Sequence, residues 1–134
     1  MARILYCDDD LGARDLFTLL CNELRIHSKT TATLLETLQE LQSSSYEAII
    51  LDLQNTIRQS SIFRGEPADI TYKIKDLYPG IILIGMSATP ERFLSTLEGH
   101  AFDEVIEKEP ILFDPIGKGK INLKKLLEKH GIEI

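Results

Sequence analysis

Arg3-Ile4-Leu5-Tyr6-Cys7-Asp8-Asp9-Asp10 decides how this chain folds. Arg3 to Cys7 is a short, mainly apolar run of strand length, and it ends abruptly in three carboxylates. A buried strand that delivers adjacent acids to the rim of a sheet concentrates negative charge there. Only a cation or a shared proton makes that tolerable, and a hard divalent metal suits such oxygen ligands. Three further strand-like runs also end in a reactive polar residue: Ala48-Ile49-Ile50-Leu51 in Asp52, Ile81 to Met86 in Ser87, and Glu104-Val105-Ile106-Glu107 in Lys108. Acids, a hydroxyl and an amine therefore collect on one edge.

Between these runs lie helical patterns, and the alternation predicts an α/β fold with a parallel sheet covered on both faces, doubly wound in three layers. Leu16, Leu20 and Leu24, with Phe17 beside them, predict a first helix that Asp10 caps. His27 to Ala32 reads as a Thr-rich strand. Thr33-Leu34-Leu35-Glu36 is a capping-box pattern opening a helix with Leu34, Leu38 and Leu41. After Asp52 a long loop is expected over residues 53–68, then a helix from about Asp69 to Leu77 with Ile70, Ile74 and Leu77 on one face. Thr89-Pro90-Glu91 starts another helix, which Gly99 closes. Following Lys108, a connection over residues 109–121 leads to a last helix carrying Leu123, Leu126 and Leu127 above a Lys-rich, solvated face.

A length of 134 residues and 43% hydrophobic content describe one domain able to bury a core. The net charge of −6 argues against a general nucleic-acid or membrane surface. Cys7 and Cys21 show no Cys-x-x-Cys or metal spacing and read as reduced core residues of a cytoplasmic protein. No apolar stretch approaches the roughly 18 residues that span a bilayer. His27, His100 and His130 have no mutual spacing for a metal or a catalytic base.

In open α/β sheets, ligands bind outside the carboxyl ends of the strands. Asp9 and Asp52, with help from Asp8, suit Mg²⁺, but a metal site alone has no use for Ser87 and Lys108. Both find a role if Asp52 attacks a phosphoryl group, with the ammonium and the metal offsetting charge on its oxygens and the hydroxyl donating to one of them. The product is an aspartyl phosphate.

At these residues the chain resembles the CheY-like receiver domain of two-component response regulators, over essentially its whole length. The resemblance rests on Asp8-Asp9, Asp52, Ser87-Ala88 and Lys108, each at the end of the expected strand. It implies that Asp8 and Asp9 hold Mg²⁺ together with Asp52, that Asp52 is the phosphoacceptor, Ser87 the switch hydroxyl and Lys108 the phosphate-binding lysine. It also implies a flavodoxin-like (βα)5 fold with strand order 2-1-3-4-5, two helices on one face and three on the other. The function it implies is that of a stand-alone receiver over residues 1–134 without an output domain, a signalling domain rather than an enzyme, limited to self-catalysed phosphotransfer and autodephosphorylation. Its partners would be a sensor histidine kinase or histidine phosphotransfer protein and a downstream protein, with no nucleic acid and no membrane.

The chain also departs from the family pattern. Val105 stands where an aromatic switch residue usually precedes the lysine, and Glu109 intervenes between Lys108 and Pro110. A cis bond before a residue other than Pro costs about 2.5 to 4 kcal/mol, so the Lys108-Glu109 bond is either trans or strained. Thirty-five positions separate Asp52 from Ser87, an extended spacing that takes in Arg58, Arg64 and Gln59-Ser60-Ser61 as a solvated loop. Two alternatives remain: a degenerate receiver acting as a phosphorylation-independent scaffold, and a haloacid-dehalogenase-like phosphatase using Asp8 of Asp8-x-Asp10. A flavin site is disfavoured, since no Ser/Thr/Gly-rich phosphate loop follows the first strand.

Overall fold

In the computed structural model, which describes residues 2–60, 67–94, 99–114 and 116–134, five parallel strands form one sheet of order β2-β1-β3-β4-β5. The strands are β1 (Arg3–Cys7), β2 (His27–Thr31), β3 (Ala48–Asp52), β4 (Ile82–Ser87) and β5 (Glu104–Glu107). Seven helices are described: α1 (Leu11–Glu23), α2 (Leu34–Ser43), α3 (Leu53–Ser60), α4 (Pro67–Leu77), α5 (Pro90–Leu94), α6 (Glu109–Leu112) and α7 (Gly119–Lys129). This is the three-layer flavodoxin-like arrangement, with the expected strand order.

Successive strand residues face opposite sides of the sheet, which divides the core into two layers. Tyr6, Ile50, Ile84 and Met86 pack with Phe17 and Cys21 of α1 and with Leu123 and Leu127 of α7. Leu5, Cys7, Ile49, Leu51 and Leu83 pack on the other side with Leu34 and Leu41 of α2, Leu53 of α3 and Ile74 of α4. Because both faces are covered, the central strands read as unbroken apolar runs. The two cysteines are buried and unpaired, as expected.

The helix starts predicted at Asp10 and Thr33 are present. Asp10 accepts the Ala13 N–H at 3.2 Å, and Thr33 Oγ1 accepts the Glu36 N–H at 3.1 Å. The Glu36 carboxylate reaches the Ala32 N–H, one residue before the cap.

Two stretches differ from expectation. The loop expected over 53–68 begins with a helix, α3, whose polar side chains are tied to the β2–α2 corner. Asn55 Nδ2 donates to the Ala32 carbonyl at 3.2 Å, Gln59 Oε1 accepts the Leu34 N–H at 2.7 Å, and Gln59 Nε2 donates to Asn55 Oδ1 at 2.7 Å. Ser61 and Arg64 lie outside the described residues. The helix after it starts at Pro67, two residues before the predicted start.

After Lys108 the chain turns at once into α6, with Pro110 in the first turn, where its missing N–H costs nothing. Among the described residues no peptide bond is cis, so the Lys108–Glu109 bond is trans. The rest of the stretch expected to be helical up to Gly99 falls on residues 95–98, outside the described set.

Gly85, in the middle of β4, is a close approach. A Cβ added there would lie 2.6 Å from Leu53 Cδ2 and 3.3 Å from the Phe102 ring. Leu53 fills the space that a side chain on β4 would take.

Candidate functional site

The site lies at the carboxyl ends of β1, β3, β4 and β5. Asp8 is buried there with its acceptors engaged by the chain itself. Its Oδ1 accepts the Asp10 N–H at 3.0 Å, and its Oδ2 accepts from the Tyr6 hydroxyl at 2.5 Å and pairs with Lys108 Nζ at 2.5 Å. Its carbonyl accepts from Arg14 Nη1 at 2.8 Å. With both lone pairs of Oδ2 used, Asp8 contributes charge and orientation more than an open ligand atom. With three partners on its two oxygens, against two for Asp52, Asp8 is the poorer nucleophile, which disfavours the Asp-x-Asp phosphatase alternative.

Tyr6 was missed in the sequence because it reads as a core residue, which it also is. Its ring packs on Phe17 with centroids 4.6 Å apart, and burial with the adjacent Asp8 charge raises its hydroxyl pKa far above the usual range. It is therefore a fixed donor to Asp8.

Asp52, 6% exposed, uses its two oxygens differently. Oδ2 accepts the Asn55 N–H at 2.9 Å, so the residue serves as the cap of α3. Oδ1 faces Lys108 Nζ at 3.1 Å. Burial pushes the Asp52 carboxyl up from its ordinary range and the Asp8 charge adds to this, against the lowering pull of the Asn55 N–H and Lys108. Burial alone would lower the Lys108 pKa, but its hydrogen bond to Asp8 and the two carboxylate charges hold it above the ordinary value. Lys108 thus stays charged and links the ends of β1 and β3.

Asp9 is the solvent-facing member of the set, with its side chain 44% exposed, and its carboxylate is paired with the Arg58 guanidinium of α3. Arg58 belongs to the stretch expected to be a solvated loop. No sequence signal marks it, since the partners stand 49 positions apart. One carboxylate oxygen from each of Asp8, Asp9 and Asp52 lies within 4.8 Å of the others. This donor set of hard, negatively charged oxygens, partly open to water through Asp9, fits a Mg²⁺ ion.

Ser87 is 3% exposed at the end of β4, one position beyond Met86, which pairs with Asp52 across β3 and β4. Its Oγ accepts the Thr89 N–H at 3.1 Å and its carbonyl accepts the Lys108 N–H at 2.9 Å, so β4 fixes the start of the lysine's segment. Val105 is half-buried and packs against the core layer beneath α2 to α4.

No protein-family model matches the chain, and no curated protein matches it. Solved structures do match. The chain is similar to the response regulator protein TrrA of Thermotoga maritima, solved in complex with Mg(2+)-BeF, at 24% identity and a TM-score of 0.69, covering 95% of this chain and 100% of that one. It is similar to a CheY-like response regulator receiver domain protein of Methanospirillum hungatei at 19% identity and a TM-score of 0.71, covering 96% and 93%. A signal receiver domain of an HD domain-containing protein from Pseudomonas fluorescens matches at 15% identity and a TM-score of 0.73, covering 96% and 85%. The chain has the fold of CheY-like receiver domains. Among the described residues, no helix is long and apolar enough to cross a membrane.

Proposed function

We propose that this chain is a single receiver domain that accepts a phosphoryl group on Asp52 from the phosphohistidine of a sensor kinase or phosphotransfer protein, in a Mg²⁺-dependent reaction. The observation that carries this reading is the division of labour on Asp52: Oδ2 is held by the Asn55 N–H while Oδ1 faces the Lys108 ammonium beside two further acids. Oδ1 attacks phosphorus, the P–N bond breaks, and its electron pair leaves with the donor imidazole. Oδ2 becomes the carbonyl oxygen of the acyl phosphate and keeps its bond from α3. Lys108, already beside Oδ1, follows the new negative charge onto the phosphoryl oxygens. The Ser87 hydroxyl, whose oxygen already accepts from Thr89, has its hydrogen to donate to one of them.

Asp9 and Asp52 would supply ligand oxygens to the metal, and Asp8 would add charge while holding Lys108. When bound, the cation offsets charge on the transferring group. TrrA in its complex with Mg(2+)-BeF and a beryllofluoride-activated NtrC4 receiver domain, similar to this chain at 24% and 20% identity, support the reading by analogy. With Val105 in place of an aromatic switch, the response centres on Ser87 and α3.

The test is intact-mass measurement after incubation with acetyl phosphate and Mg²⁺. The natural chain gains one phosphoryl group and Asp52→Asn gains none. Undiminished labelling of Asp52→Asn overturns the assignment, and absence of labelling in both favours a phosphorylation-independent scaffold.

A further inference from the structure

We propose that Arg58 is the resident counter-cation of the site: its guanidinium occupies Asp9 until a divalent ion displaces it, so Arg58 sets how tightly the acids take Mg²⁺. The inference rests on the reading of Asp8, Asp9 and Asp52 as the metal-holding acids. It does not depend on phosphotransfer.

Three observations carry it. Lys108 is already shared between Asp8 and Asp52, so it is not the cation that serves Asp9. Arg58 does so from a different element, reaching from α3 to the end of β1. Charge then argues for exchange. The three carboxylates against Lys108 and Arg58 leave one negative charge, and a dication added to that set would overshoot to one positive charge. Release of Arg58 as the dication enters brings the set to neutrality.

The backbone from which Arg58 projects is anchored. Asp52 caps α3, and Asn55 and Gln59 on the same helix bond to the Ala32 carbonyl and Leu34 N–H. The side chain itself is 54% exposed, so its guanidinium leaves Asp9 for water at small cost, while α3 stays in place. An exposed pair of this kind sets a modest barrier to the metal.

The experiment is a Mg²⁺ titration of the full chain without phosphodonor, by calorimetry and by the Arg Nε resonances. Arg58→Gln binds Mg²⁺ about two- to fivefold more tightly than the natural chain at low ionic strength, and added salt narrows the difference because it screens the exposed pair. Arg58→Lys falls between them. In the natural chain, the Arg58 Nε resonance moves in step with Mg²⁺ saturation, a readout that holds even should Arg58→Gln fold poorly. Equal or weaker binding by a folded Arg58→Gln, with an unmoved Arg58 resonance, overturns the proposal. If Asp9→Asn has meanwhile lost Mg²⁺, the metal reading survives that failure. If neither the natural chain nor Arg58→Gln binds Mg²⁺, both readings fall together.

Discussion

The β1–α1 and β3–α3 junctions both carry an aspartate that caps the following helix, but they divide their work differently. After β1, three acids share the duties: Asp8 is buried and bonded on both oxygens, Asp9 faces solvent and Arg58, and Asp10 caps α1. After β3 no residue intervenes before the helix, and Asp52 is at once the cap of α3, the partner of Lys108 and the candidate nucleophile. A change of charge on Asp52 is therefore also a change at the first turn of α3. A change at Asp10 stays local.

The strongest way to break this comparison is to cut the link between the two junctions. Lys108→Met leaves Asp8 and Asp52 facing each other without their shared cation, and removing one partner from a buried pair costs about 3 to 5 kcal/mol. Chemical denaturation at neutral pH should show a loss of that order, shrinking in acid as a carboxyl takes up a proton.

Next come substitutions at Asp52. Its pKa is raised in the folded state, so the ionised carboxylate disfavours folding, and that penalty grows as pH rises from the ordinary carboxylate range through the folded pKa. Asp52→Asn keeps a capping side chain and removes the charge. It should be more stable than the natural chain at neutral pH, with the gap closing in acid. Asp52→Ala should fall about 1 kcal/mol below Asp52→Asn, because the cap is lost as well. Equal stability of the two would show that Asp52 does not hold the start of α3.

Asp10→Ala should cost about 0.5 to 1 kcal/mol through its exposed cap alone, leaving the Mg²⁺ affinity measured by titration unchanged. The smallest effect is expected at the opposite end of the sheet. Burial of Asp103 is outweighed by its bonds from the Leu83 N–H and Lys75, which hold its carboxyl below the ordinary range. It contributes stability above the unfolded carboxylate pKa, and loses it as pH falls through the folded value. Asp103→Asn should therefore narrow its deficit in acid unfolding curves, the reverse of the trend in stability relative to Asp52→Asn.

The same contrast explains what the sequence disclosed. The strand ends, the cap at Asp10 and the cluster of Asp8, Asp9, Asp52 and Lys108 were legible because unbroken apolar runs fix where the reactive residues emerge. The α3 helix was not. Leu53-Gln54-Asn55-Thr56-Ile57-Arg58-Gln59-Ser60 has few apolar residues and several poor helix formers, and is held by bonds to residues more than twenty positions away. Tertiary contact overrides propensity there, and a pattern read along the chain has no access to it. Tyr6 escaped for a different reason: its ring satisfies the core while its hydroxyl serves the site.

Gly85 gives the candidate nucleophile a mechanical dependence on bulk. Leu53, joined directly to Asp52, is fully buried and occupies the notch that β4 leaves by carrying no side chain. In a close-packed interior, a methyl group placed in that notch acts as a wedge against Leu53, with the Phe102 ring also in its way. Gly85→Ala would thus turn added volume into displacement at the neighbouring carboxylate while altering no charge and no hydrogen-bonding group. Asp52 thus adjoins a Leu53 side chain whose place is open only because β4 carries no side chain at Gly85.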